Sequence, residues 1–181
     1  RYDVRRRRML RRYWKSDAER AADRVRLARL EREIPTRVPG CRVSADQAYR
    51  EADLAIDFCE DVPALPEAAV AKIVACFEQA GARAKISSIH VNGWFGDYDK
   101  LAMTRLLFRE QFGCDLEAAR DAAVFVGDSP NDEPMFAYFP HAVGVANVRA
   151  FASRMTHLPA WVTEGEGGLG FAEMATVLLG R

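Results

Sequence analysis

The 181-residue sequence lacks any apolar run approaching the roughly 18 residues that cross a bilayer. No signal peptide precedes its first charged stretch, so the expectation is a chain without a membrane partner, working in the cytoplasm. Cysteine is scarce. The four residues Cys41, Cys59, Cys76 and Cys114 form no C-x-x-C pair, which argues against a disulfide framework or a thiolate metal site and for buried free thiols in a reducing compartment. Net charge is also absent, with 26 Lys+Arg balancing 26 Asp+Glu. The balance is uneven, because residues 1–37 hold 14 Lys+Arg against 6 Asp+Glu. A basic arm of this kind can bind nucleic acid, but Arg5 to Arg8 with Arg11 and Arg12 come without a recognised nucleic-acid fold, so a solvated basic face is the expectation. The chain does not open on methionine, which suggests that a segment upstream of Arg1 belongs to the protein.

What is present divides into two patterns. Met9 to Trp14 alternates as an exposed strand would, and Ser16-Asp-Ala-Glu19 is a capping box that opens a helix with Ala21, Ala22, Val25, Ala28 and Ile34 on one face and Arg20, Arg24 and Arg32 in water. Pro39-Gly40 marks a turn, and Leu54, Ile56 and Phe58 alternate as a half-buried strand. Pro63 and Pro66 bracket the start of a helix carrying Val70, Ile73, Val74 and Phe77, which Gly81 ends. Lys85 to Val91 reads as one further strand. Its exit places Ser88, His90 and Asn92 on a polar face, turned either to water or to a cleft where His90, Asn92 and Trp94 touch a substrate.

The second pattern centres on Ala122 to Met135, where the apolar run Ala123 to Val126 ends at Gly127 in a cluster of acids. Such a run is expected of a parallel strand, and Asp128 then lies at the strand's carboxyl end, where open α/β sheets bind ligands. Pro130 suits a first helical turn. Asn131 and Asp132 return an amide and a second carboxylate toward Asp128, an all-oxygen set suited to Mg²⁺. Gly96-Asp-Tyr-Asp-Lys100 leads into a helix over 101–112 with Leu101, Leu106 and Phe108 as its apolar content. Lysine is disfavoured at a helix start, and its presence there makes sense if an anionic phosphate shares the site.

Gly127-Asp-Ser-Pro-Asn-Asp132 resembles the fourth motif of haloacid-dehalogenase-like phosphatases, in the form found in the Cof-type sugar-phosphatase branch with a C2 cap. Lys100 resembles that family's third-motif lysine, His141 to Ala146 its next core strand, and Trp161-Val-Thr163 with Gly167-Gly-Leu-Gly-Phe its C-terminal closure. The resemblance covers roughly residues 85–181. It implies an α/β fold: the C-terminal half of a Rossmann-like core over 93–181, preceded by an α+β cap over 1–92.

For function it implies a Mg²⁺-dependent phosphomonoesterase acting on a small phosphorylated substrate, a sugar phosphate, through an aspartyl-phosphate. Lys100 and Asp128 would be catalytic, Asp128 and Asp132 metal ligands, and Ser129 and Asn131 would shape the phosphate site. The family's nucleophile and second-motif residue have no counterpart here, so they are expected upstream of Arg1. Asp97-Tyr-Asp99 has the family's D-x-D spacing but follows no buried strand, and Gly165 to Gly170 fits G-x-G-x-x-G without room for a dinucleotide fold. The alternative is a non-catalytic scaffold that holds Mg²⁺ and a phosphorylated ligand.

Overall fold

A computed structural model of the chain describes residues 2–180. After a short hairpin of β1 (Tyr2–Asp3) and β2 (Arg8–Met9), helix α1 (Asp17–Arg37) begins at a complete capping box: the Glu19 amide donates to the Ser16 hydroxyl, and the Glu19 carboxylate accepts the Ser16 amide at 2.9 Å. The expected strand over 9–14 is not formed beyond Met9; the segment is held instead by side chains, with Arg12 reaching Glu110 and Tyr13 reaching Glu51. The buried stripe of α1 keeps Ile34 of the expected face but not its alanines or Val25. Leu27, Leu30 and Ile34 are buried at helical spacing while Val25 is 73% exposed, because the larger side chains gain more from leaving water. Arg20 is not solvated either: its guanidinium lies 3.5 Å over the Tyr13 ring.

The stripe packs on an antiparallel sheet in the order β3 (Arg42–Val43), β4 (Asp53–Asp57), β6 (His90–Trp94), β5 (Arg83–Ile86). The stretch expected as one strand over 85–91 is two, joined by a turn over 87–89 in which the Ser87 amide and hydroxyl both donate to the His90 carbonyl, at 2.8 and 3.0 Å. On one face of this sheet Leu54, Ile56 and Val91 meet Ile73 and Phe77 of α2 (Glu67–Gln79) in a single apolar cluster. Gly93 is required there, since a Cβ on it would lie 2.2 Å from the Phe77 ring.

The rest of the chain builds a parallel sheet in the order β7 (Val124–Gly127), β8 (His141–Gly144), β9 (Trp161–Val162). Helix α3 (Lys100–Leu107) widens into a π turn over Phe108–Phe112 and stops at Gly113, whose left-handed backbone suits glycine. Short α4 (Leu116–Ala119) and α5 (Glu133–Tyr138) flank β7, where Leu116, Phe136 and Phe139 form a second, smaller core with Phe125 packed against it. The final helix, α6 (Gly167–Leu178), starts inside the glycine-rich run: the Asn147 carboxamide accepts the Gly167 amide at 2.8 Å, and Gly165 and Gly170 approach so closely that a Cβ on Gly170 would sit 2.2 Å from the Gly165 carbonyl. This is glycine used for packing, as expected of a decoy motif. Of the four thiols only Cys41 and Cys76 are buried, and all four are free.

Candidate active site

Asp128 follows the last residue of β7, and the chain then turns through a 3₁₀ segment over Pro130–Asp132 into α5. The turn folds back because Asp132, itself 3% exposed, accepts the Asp128 amide at 3.0 Å through Oδ2. Gly127 makes room for that carboxylate; a Cβ there would meet Asp132 Oδ2 at 2.7 Å. The buried Ser129 hydroxyl lies 3.0 Å from Asp128 Oδ1 and 3.1 Å from Asn131 Oδ1, and its proton serves these oxygens.

Lys100 closes the group from α3. Its ammonium donates to Asp132 Oδ1 and, at 3.1 Å, to Asn131 Oδ1. The Lys100 side chain is 53% exposed, so solvent screens the ion pair and its value to stability is small. Its position at a helix start, unfavourable for the dipole, is offset by Asp99, whose carboxylate caps α3 by accepting the Ala102 amide at 2.8 Å. Asp97 pairs with Arg83. Both carboxylates of the rejected D-x-D therefore have local structural tasks.

Whether this donor set suits Mg²⁺ turns on which oxygens are uncommitted. Asp132 has one oxygen on Lys100 and the other on an amide, whereas Asp128 Oδ2 faces no donor among the described residues. Among those residues no cluster of three His, Cys, Asp or Glu side chains forms. Mg²⁺ is commonly held by one or two carboxylates plus waters and phosphate oxygens, and the set fits on those terms: Asp128 has the uncommitted oxygen that could take the ion, while Asp132 holds Lys100 and the turn.

Lys100 and Asn131 open onto a cleft of about 830 Å³ whose opposite wall is the polar face of the antiparallel sheet. The strand alternation that buries Val91 turns His90, Asn92 and Trp94 into this cleft, so the polar face is a cleft wall. The three differ in surroundings. Asn92 Oδ1 accepts from Arg50 at 3.2 Å. The Trp94 indole N–H donates to the Tyr98 carbonyl at 2.9 Å, leaving only its ring for a ligand. His90 is buried, and its Nε2 comes within 2.9 Å of a Glu60 oxygen without the alignment of a hydrogen bond. Beside it Asp57 is 1% exposed; burial pushes its carboxyl pKa up, but the amides of Glu60, Asp61 and Cys59 outweigh that and leave it below the ordinary range.

Sequence reasoning missed Arg50 and Lys85, which also line the cleft. Arg50 is clamped by Asp46 at 2.9 Å and Asp53 at 2.7 Å, and the Arg50 and Ser44 hydrogen bonds lower the Asp46 pKa to about 2. No short motif announces either residue; only the register that sets Lys85 opposite Asn92 does.

No family model and no curated protein matches the sequence. Solved structures do. The Thermoplasma acidophilum protein 0175 superposes with a TM-score of 0.55 at 20% identity, over 83% of this chain and 60% of its own. The sucrose-phosphatase of Synechocystis sp., solved with sucrose and phosphate, superposes with a TM-score of 0.59 at 13% identity, over 83% of this chain and 61% of its own. The chain thus spans about three-fifths of the length of these structures, and over that span it shares their mixed α/β fold.

Proposed function

We propose that the chain is the C2-type cap and the C-terminal part of the core of a Mg²⁺-dependent phosphomonoester hydrolase acting on a sugar phosphate, of the Cof-type branch. The observation that carries this reading is the constellation at the carboxyl end of β7: an ammonium held by Asp132 and Asn131 that lines a cleft, on a turn that also carries an Asp128 carboxylate with a free oxygen. A compact cation fixed before substrate arrives can stabilise charge on phosphoryl oxygens. Bound Mg²⁺ would neutralise charge between phosphate and nucleophile. Asp128 would hold it; Ser129 and Asn131 keep the turn in shape, and Lys100 binds and orients the phosphoryl group.

The nucleophile we assign to a segment outside these 181 residues. It would attack phosphorus as the ester P–O bond breaks and the alcohol leaves with a proton, and water would then hydrolyse the aspartyl-phosphate. Two observations support an added segment. Among the described residues β7 pairs only with β8, so its other edge is open, and Val124 on it is 39% exposed. In addition, α6 leaves Leu169, Phe171 and Val177 more than half exposed, an apolar surface that further core structure would cover.

The test uses the protein extended upstream, with an encoded strand ending in D-x-D. Asp128→Asn should lower Mg²⁺-dependent hydrolysis of phosphate monoesters by orders of magnitude with folding intact. Lys100→Met should cost several kcal/mol of transition-state stabilisation, in kcat more than in KM (roughly 3–4 kcal/mol). Wild-type turnover in Asp128→Asn removes this residue from the site, and a closed reading frame upstream would favour a phospholigand-binding scaffold.

A further inference from the structure

We infer that Lys85 and Asn92 are the specificity-determining pair of the cleft's cap wall, and that they select phosphate esters whose alcohol part carries a carboxylate, a sugar acid or hydroxy acid, over neutral polyols. The inference rests on the reading above for the phosphate end alone.

The two residues are register partners on β5 and β6, and their side chains line the same cleft as Lys100. Strand β5 packs against the Pro130–Asp132 segment, which brings Lys85 to the phosphate side of the wall. Lys85 has no carboxylate partner among the described residues, although five acidic side chains line the cleft. Those acids are placed elsewhere. Asp46 and Asp53 hold Arg50, Asp99 caps α3, and Glu60 and Asp61 sit on the exposed loop beside His90, at the other end of the wall.

Arg50 decides what Asn92 offers. A guanidinium can only donate, so its hydrogen bond fixes the Asn92 carbonyl oxygen toward Arg50 and leaves the carboxamide NH₂ for the cleft. With its single charge outweighed by the two carboxylates it pairs with, Arg50 is a positioning residue and not itself an anion receptor. Lys85 and Asn92 themselves therefore offer donors to the cleft, an ammonium and an amide NH₂, a pattern complementary to a carboxylate's two acceptor oxygens. A neutral hydroxymethyl group in the same place would accept one of these hydrogen bonds without the charge.

Calorimetric titration of the upstream-extended protein in its Mg²⁺ form, with its nucleophile replaced by Asn to prevent turnover, tests the assignment. The ligands are matched pairs: 3-phosphoglycerate against glycerol 3-phosphate, and 6-phosphogluconate against sorbitol 6-phosphate, each differing by a carboxylate in place of a hydroxymethyl group. Wild-type Lys85 should favour the acid of at least one pair by about tenfold, the scale of one charge-assisted hydrogen bond. Lys85→Met, at an exposed and unpaired side chain, should fold normally and reduce that preference to within about twofold while leaving inorganic phosphate affinity unchanged. Asn92→Asp should abolish it by repulsion, and Arg50→Lys should weaken it while phosphate affinity holds.

Equal binding within both pairs, or a preference that survives Lys85→Met, overturns the inference and leaves the phosphatase reading standing. Equal loss of affinity for both esters and for phosphate in Lys85→Met assigns Lys85 to the phosphate and also overturns it. A wild-type protein that binds no phosphate compound refutes both.

Discussion

The antiparallel layer and the parallel layer bury their sheets differently. In the first, one sheet face is sealed by two helices and the other walls the cleft, and the apolar cluster runs from Leu27 on α1 to Phe95 with Phe77, Ile34, Ile56 and Ile73 fully buried. In the second, three short strands share a cluster of six buried residues, and β7, which carries the candidate site at its end, pairs only with β8 among the described residues. Parallel strands are ordinarily covered on both faces and paired on both edges. The contrast teaches that packing and the candidate site are housed apart: the layer with the larger apolar cluster supplies one wall of the cleft, while the layer with the acidic turn after β7 has the smaller core.

Several substitutions break or sharpen this contrast. Phe77→Ala should cost about 3–5 kcal/mol, because its ring is fully buried and Gly93 cannot fill the space. Chemical denaturation should show the loss, and hydrogen exchange should place it in β4 and β6 while β7 amides, already fast at an open edge, change little; equal protection in both sheets would contradict the contrast. Gly93→Ala should destabilise the same layer by about 1–3 kcal/mol through overpacking against Phe77, measured by the denaturation midpoint. Ser16→Ala should cost about 1 kcal/mol by removing one half of the capping box, and Ser16→Thr should restore most of it in thermal melts.

The smallest effect belongs to Asp46. Its folded pKa, about 2, lies below its ordinary 3.8, so its stabilisation is present above about pH 4 and is lost as pH falls toward 2. With 54% of the side chain exposed, screening holds the contribution under about 1 kcal/mol, and Asp46→Asn should flatten the acid limb of the stability curve by that amount.

The legible parts of the chain are those whose cause is local. Glycine, acid and proline within six residues dictate the turn after β7, and a serine three residues ahead of a glutamate dictates the start of α1. Over 85–91 the sequence looks like one strand because the turn at Ser87 contains neither glycine nor proline and is closed by a hydroxyl that only the paired strand supplies with an acceptor. On α1 the expected face holds at Ile34 and fails at its alanines and Val25, because these satisfy helical spacing as well as Leu27 and Leu30 do and only the sheet beneath chooses between them. Arg50 and Lys85 are nonlocal in the same sense: one acts through a residue 42 positions away, the other through its register. Asn92, His90 and Trp94 could be placed on one face by alternation alone, but which face met the cleft required the helices on the other side.

One consequence of β6 concerns how such a protein changes over generations. Val91 and Gly93 hold the layer together from one side, while His90, Asn92 and Trp94 stand on the other. A period of two lets mutation redraw the cleft at residue 92 without touching the seat of Phe77. The shape and polarity of that wall can therefore be altered at little loss of foldedness, and selection can tune the wall and the scaffold as nearly separate traits.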